Sequence, residues 1–322
     1  MKRLGFGTLL LLMVGVACAA QGVESLSPTD DTYIDQYVPT GVNGARTNIA
    51  VRNQYGGSAI WELDGLFRFD LSGIPRGAIL TTATLHVYYY AYRDSSPVGR
   101  NLTCHRITGT WSEAAVTWNT RPPYDSTATS GALVPSSYTW MTWDVTADVR
   151  AFVDRTLPNH GWQIMDLKKW GTANIPLMYF YSREYSTNQP HLDLTLPTHL
   201  GASGSTSPGG TLAFQLTAAN DPGQPYQVGS ALGAGPIPID TREIGLGLDA
   251  LLQVSLSGML PGVFVNYAGR IDAQGTARAS LAIPPSPGLV GIRIYTAFVT
   301  LAAAAPSGVG SVSNTFSFAI AK

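Results

Sequence analysis

Ala83-Thr84-Leu85-His86-Val87-Tyr88-Tyr89-Tyr90-Ala91-Tyr92 is the stretch on which the fold turns. Its aromatic and branched residues favour extended backbone, and along a strand successive side chains point to opposite faces. Leu85, Val87, Tyr89 and Ala91 then line one face, and His86, Tyr88, Tyr90 and Tyr92 the other. A strand in a two-sheet sandwich needs only one face for the core. The tyrosine row therefore has two uses open to it. It can serve as an outer platform on which sugar rings stack, or it can lie under loops or a second domain, as large apolar surfaces usually do.

The second informative stretch is Phe180-Tyr181-Ser182-Arg183-Glu184, followed by Pro190 and the alternating run His191-Leu192-Asp193-Leu194-Thr195-Leu196. Leu192, Leu194 and Leu196 give the last strand a clean apolar face. Residues 177–184 read as the penultimate strand. If it is regular, Arg183 and Glu184 point to opposite faces and cannot pair without a bulge. Glu184 would then sit with Phe180 and Ser182 as a scaffold acid facing a cation such as Arg68, and Arg183 would sit with Tyr181 and Tyr185 on the ligand side.

Working outward, residues 30–36, 48–52, 66–71, 102–107, 140–145 and 162–166 read as further strands, with Phe67, Phe69 and Leu71 on a core face. Val145, Val149, Phe152 and Val153 have helical spacing behind a Thr146 cap, ending by Asp154. With 34 Gly, 21 Pro and 15 Tyr but only 13% charged residues, the composition favours strands and tight turns. The expected class is all-β: a jelly-roll-like sandwich over 24–197 with one short helix. A Gly/Ser/Thr-rich stretch at 198–210 reads as a flexible linker. Residues 211–322 contain no Trp or Cys and read as a smaller β-sandwich, with strands at 211–216, 251–256, 263–267, 277–283, 291–299 and 315–321.

Residues 1–20 have the layout of a secretory signal peptide: Lys2 and Arg3, an apolar run over 4–17, then small residues. That run, about 14 residues, is shorter than the roughly 20 of a spanning helix, and no later stretch approaches that length. Cys18, within Gly15-Val16-Ala17-Cys18, also resembles a lipobox cysteine and offers an alternative lipid anchor. With residues 1–20 removed only Cys104 remains, which excludes a disulfide framework. The net charge of −1 gives no footprint for nucleic acid.

Asp31 and Asp35, two carboxylates on one strand face, together with Asn43 and Asn48 offer hard oxygen ligands for Ca²⁺; a solvated strand start is the competing reading. Residues 109–123 concentrate Trp111, Glu113, Trp118, Asn119 and Arg121 before Pro122-Pro123, a composition that suits either a ligand loop or a plug at one end of a sandwich. No HExxH and no Gly-x-Ser-x-Gly occurs, and the five histidines are scattered. Glycoside hydrolysis needs two carboxylates, and Glu113, Glu184 and Asp144 supply them without a diagnostic spacing. No catalytic residue is assigned.

Several pieces occur in the order characteristic of one family: Asp31-Thr32-Tyr33-Ile34-Asp35, Phe67-Arg68-Phe69-Asp70-Leu71-Ser72-Gly73-Ile74-Pro75, Ala83-Thr84-Leu85, Trp111-Ser112-Glu113 with Val116-Thr117-Trp118-Asn119, Trp143-Asp144-Val145-Thr146, and Phe180 to Glu184 with Pro190 and Leu192. Residues 24–197 thus resemble the DNRLRE domain, also classed as carbohydrate-binding module family 96. The resemblance implies a secreted β-sandwich that binds extracellular polysaccharide, including acidic polymers such as alginate, and that is often fused to lyases, hydrolases or surface proteins. The expected ligand contacts are Arg68, Tyr88, Tyr90, Tyr92, Trp111, Asn119, Arg121, Tyr181, Arg183 and Tyr185. A structural cell-envelope or matrix protein and a polysaccharide-degrading enzyme are the alternatives.

Overall fold

The computed structural model describes residues 21–54, 61–168 and 175–322. The expected signal segment, with Cys18, lies outside the described residues. The amino-terminal part runs β1 (Gly22–Leu26), β2 (Pro28–Asp35), β3 (Asn48–Gln54), β4 (Trp61–Phe69), β5 (Thr82–Arg93), β6 (Asn101–Arg106), β7 (Ser130–Leu133), β8 (Thr139–Asp144), α1 (Thr146–Val153), β9 (Trp162–Met165), β10 (Leu177–Tyr181) and β11 (His191–Leu196).

β5 is the hub of the first sheet, whose order is β1-β11-β5-β10-β3, with β8 also paired to β5. β10 pairs with the last residues of β5 and β11 with the first, so the turn between β10 and β11 sits beside the middle of that strand. β3 turns the corner between sheets: Ile49 and Val51 pair into β10, while Arg52, Asn53 and Gln54 pair with β4. From there the second sheet continues β4-β9-β6-β7, with β2 also on β4. The two inner faces meet in one core, to which β5 contributes Leu85, Val87 and Tyr89, β4 Phe67 and Phe69, β8 Trp143, β9 Trp162 and Ile164, and β10 Phe180. The buried indoles do not strand their N–H groups: Trp143 donates to the Leu102 carbonyl at 2.9 Å and Trp162 to Asp148 at 2.9 Å. Cys104 is a buried free thiol.

Helix α1 buries Val149, Phe152 and Val153, as their spacing requires. Its cap is not the one expected. Val145 occupies the N-cap position with no side-chain bond, and Asp144 accepts the Thr146 N–H at 2.9 Å. The Thr146 hydroxyl is engaged by the Ala83 backbone instead.

The second part comprises β12 (Thr198–Gly204), β13 (Thr211–Ala218), β14 (Pro225–Ala231), β15 (Ile237–Ile239), β16 (Arg242–Ile244), α2 (Ala250–Ser257), β17 (Phe264–Val265), β18 (Ala268–Arg270), β19 (Thr276–Ala282), β20 (Arg293–Leu301), β21 (Val309–Val312) and β22 (Phe316–Ala319). Two sheets, β12-β13-β19-β17 and β18-β14-β20-β21 with β22 on β20, share a core of Phe214, Leu216, Val228, Phe298 and Phe318 among others.

Two expectations fail here. The linker at 198–210 is largely strand: β12 begins at Thr198 and pairs with β13 along its whole length, with Leu200 fully buried. As an edge strand it tolerates the small polar residues that made it look like a linker. Residues 251–256 form helix α2 rather than a strand. Asp249 caps its first turn, accepting from Leu252 N–H at 3.0 Å, and Gly258 ends it in the left-handed region at φ 71°. That Asp–Gly bracket outweighs the β-like composition between them.

Candidate functional site

The outward face of the first sheet carries an aromatic band. On β5, His86, Tyr88 and Tyr90 are half-buried and Tyr92 is exposed, while Leu85, Val87 and Tyr89 fill the core, so the period-2 split holds. Antiparallel pairing sets β10 and β11 alongside and adds Tyr179, Tyr181 and His191. Tyr185, from the turn after β10, folds back onto the band.

The rings are stacked on one another. Tyr181 lies between Tyr90, at a centroid distance of 4.2 Å and an interplanar angle of 4°, and Tyr185, at 3.9 Å and 4°. Tyr88 lies 5.7 Å from Tyr181 and meets Trp140 of β8 edge-on at 5.2 Å. At the far end His86 stacks on its cross-strand partner His191 at 4.5 Å, and the Asp193 carboxylate lies 3.5 Å from His86 Nε2. Burial lowers the His86 pKa and His191 lowers it further, against the pull of Asp193. Tyr90 is raised, chiefly by burial, and the Tyr185 hydroxyl raises Tyr181. These phenols are therefore neutral at ordinary pH and can both donate and accept.

Because Tyr90 and Tyr185 cover both faces of Tyr181, that ring offers its edge and hydroxyl rather than a flat platform. A free ring surface is found beside the stack. A shallow cleft of about 460 Å³ is lined by Tyr33, Asn48, Tyr90, Ala91, Tyr92, Arg93 and Tyr179. It has aromatic walls with amide and guanidinium groups between them, the mixture typical of ligand sites. A second cavity, about 360 Å³ between α2 and the carboxy-terminal sandwich, has Ser230 as its one polar lining residue and so little to orient a ligand.

The expected contacts thus divide. Tyr88, Tyr90, Tyr92, Tyr181 and Tyr185 come together. Arg68 does not join them: its guanidinium is held by Asp30 at 2.7 and 3.0 Å and by the Trp111 carbonyl at 3.2 Å. Trp111 is buried, its N–H bonded to the His160 carbonyl at 2.8 Å. Asn119 and Arg121 are exposed on the 109–123 segment, with Arg121 lying 4.4 Å over Trp118. Trp140, Tyr179, His86 and His191 were missed as site residues, although Tyr179 and His86 each share a strand face with an assigned tyrosine, Trp140 sits opposite Tyr88 in register, and His191 sits opposite His86.

Arg183 and Glu184 correct the largest expectation. β10 ends at Tyr181, so both lie in a turn, where alternation no longer separates them. Arg183 Nε lies 3.0 Å from Glu184 Oε1, and its guanidinium grips both oxygens of Glu113. The Arg183 N–H also donates to Asp31 at 2.9 Å. Glu184 therefore pairs with Arg183 and not with Arg68.

The expected Ca²⁺ set is likewise not assembled. Asp31 and Asp35 are four residues apart, about 13 Å along a strand, too far for one ion with ligands at about 2.5 Å. Asp35 instead accepts from Tyr37 N–H and the Trp61 indole, and Asn43 donates to the Tyr33 carbonyl. Asn48 sits opposite Tyr181 at the start of β3.

The comparison with known families settles the relationship. The model for carbohydrate-binding module family 96 matches residues 23–196, more than half of the chain and the whole first sandwich. The chain belongs to carbohydrate-binding module family 96. A comparison with curated proteins returns no match. In this family 96 module the aromatic band and its cleft are the candidate ligand surface among the described residues. Glu113 and Glu184, the carboxylates considered for hydrolysis, are committed to Arg183. Asp144 is committed to the start of α1.

Proposed function

We propose that this is a secreted, non-catalytic polysaccharide-binding protein whose ligand lies along the tyrosine band and in the adjoining cleft. The observation that carries the reading is the juxtaposition, on the outer face of a family 96 sandwich, of a row of tyrosine hydroxyls with an aromatic-walled cleft containing Arg93 and Asn48. Sugar hydroxyls exchange hydrogen bonds with phenols and amides, and one sugar ring stacks in the cleft against Tyr92 or Tyr179. The layout of residues 1–20 supports export, with Cys18 as the point of a lipid anchor if the chain is processed there.

Three arginines expected to recognise an acidic polymer do not face this surface freely. Arg68 and Arg183 are spent on carboxylates, and Arg121 stacks on Trp118 in another segment. The guanidinium that lines the cleft is Arg93, and it is the group on this face that would meet a carboxylate of an acidic chain.

Affinity electrophoresis and calorimetry against neutral glucans, pectin and alginate test the proposal. Binding to at least one polymer is expected, and a lack of retardation on all of them overturns it. Tyr181→Phe and Tyr185→Phe keep the stack but remove hydroxyls, and each is expected to weaken binding roughly threefold to tenfold. Tyr92→Ala removes a cleft wall and is expected to cost more.

A further inference from the structure

Behind the tyrosine stack, three acids from distant parts of the chain converge: Asp31 of β2, Glu113 of the 109–123 segment and Glu184 of the turn after β10. One ligand oxygen of each lies within 4.8 Å of the other two. The Arg183 guanidinium pairs with Glu113 and Glu184 and its backbone N–H with Asp31, so three carboxylates share one cation and the cluster carries a formal excess of two negative charges.

The hydrogen-bond ledger of the cluster does not close. Asp31 is only 1% exposed; its Oδ2 accepts the Arg183 N–H, and its Oδ1 has no partner. Glu184 Oε2 is buried and likewise has no partner. Glu184 Oε1 and both oxygens of Glu113 are taken by Arg183. Two buried, donor-free carboxylate oxygens in one cluster are costly unless something positive meets them. The ligand atoms are all hard oxygens, with no His or Cys among them, and the missing charge is two. That donor set matches Ca²⁺, which takes carboxylate oxygens in irregular geometry.

We propose that this pocket is a Ca²⁺ site with Asp31, Glu113 and Glu184 as its carboxylate ligands, and that the ion fastens the turn carrying Tyr185 to the sandwich. The mechanical link is on the same turn. Ser182 Oγ donates to the Arg46 carbonyl at 2.6 Å and accepts from Glu184 N–H at 3.3 Å. Gln189 Nε2 donates to the carbonyls of both Arg183 and Tyr185. An ion held by Asp31 and Glu184 thus joins β2, the 109–123 segment and the base of the tyrosine stack. The site is distinct from the Asp31/Asp35 pair suggested by strand alternation, and the proposal does not depend on the polysaccharide reading.

The test is calorimetric titration of chelator-treated full chain with CaCl₂, alongside thermal melts with Ca²⁺ and with chelator. One ion per chain is expected, with a dissociation constant of about 10⁻³ M or tighter, and a melting temperature raised by Ca²⁺ and restored by chelator. Asp31→Asn and Glu184→Gln are each expected to weaken binding at least about tenfold. Asp193→Asn, which alters the surface cluster with His86 and His191, is expected to leave Ca²⁺ affinity unchanged. No binding heat and no melting shift at about 10 mM Ca²⁺ overturns the proposal. So does a titration unaffected by both Asp31→Asn and Glu184→Gln, or one lost in Asp193→Asn. Should the two pocket variants fail to fold, the wild-type titration decides by itself.

Discussion

Gly161 shows how far a single residue can bind the amino-terminal sandwich. It lies at the end of the Asn159-His160-Gly161 turn with φ 79°, a backbone conformation that side chains other than glycine rarely adopt. A Cβ there would also run into the backbone carbonyl of Phe67. Around it, Asn159 Nδ2 donates to the Phe69 carbonyl at 2.8 Å, the Gly161 carbonyl accepts from Ile107 N–H at 2.9 Å, and the His160 carbonyl accepts the Trp111 indole. The neighbouring backbone has no freedom to yield, so Gly161→Ala is expected to destabilise the protein by at least about 2 kcal/mol, read from urea unfolding. Arg183 is the opposite case, a residue whose role the local sequence misplaces. Its neighbours look like strand, yet its partners come from positions 31 and 113, and no local pattern records them.

At the scale of elements, α2 depends on its caps. Its apolar run could equally be a strand, and what makes it helical is Asp249 before it and Gly258 after it. Burial acts to raise the Asp249 pKa, but backbone N–H groups of Leu252, Leu232, Gly233 and Leu251 outweigh it and hold the carboxyl below the usual range. A carboxyl depressed in the folded state contributes stability that is fully present above its unfolded pKa of about 3.9 and is lost as pH falls through the folded value. Thermal melts below about pH 4 are therefore expected to show an acid-dependent loss that Asp249→Asn flattens. Asp249→Ala is expected to cost about 1 kcal/mol at neutral pH. In the first sheet, β10 illustrates the same lesson about ends. Its alternation is sound over Leu177–Tyr181, but extending it by three residues reverses the reading of Arg183 and Glu184.

For the whole molecule, among the described residues no hydrophobic cluster crosses from one sandwich to the other: those of the first part span residues 34–196 and those of the second 200–320. The contacts between them include many polar ones. Glu24 meets His199 at 2.9 Å and Asn314 at 3.1 Å, Arg155 forks onto Glu243, and Thr315 N–H donates to the Gly73 carbonyl. Such interfaces orient domains without supplying their cores. A fragment of residues 21–197 is therefore expected to fold cooperatively and to bind polysaccharide as the full chain does. Circular-dichroism melts and affinity electrophoresis check this, and failure of the fragment to fold would show that the second sandwich is integral to the first.

The features legible along the chain are those that short-range physics controls. Period-2 alternation placed β5, β10 and β11 and split Leu85, Val87 and Tyr89 from His86, Tyr88, Tyr90 and Tyr92, because side-chain direction in a strand depends only on parity. The ordered motifs identified the family for the same reason, since each is a local pattern. Which residues meet was settled by the fold. It set Tyr181 between Tyr90 and Tyr185, so that this ring presents its edge instead of a face, and made β12 an edge strand rather than a linker. It also gathered Asp31, Glu113 and Glu184 around Arg183 and left Asp35 outside. Those outcomes depend on strand register and on where a strand stops, and both are fixed by pairing partners far away in the chain.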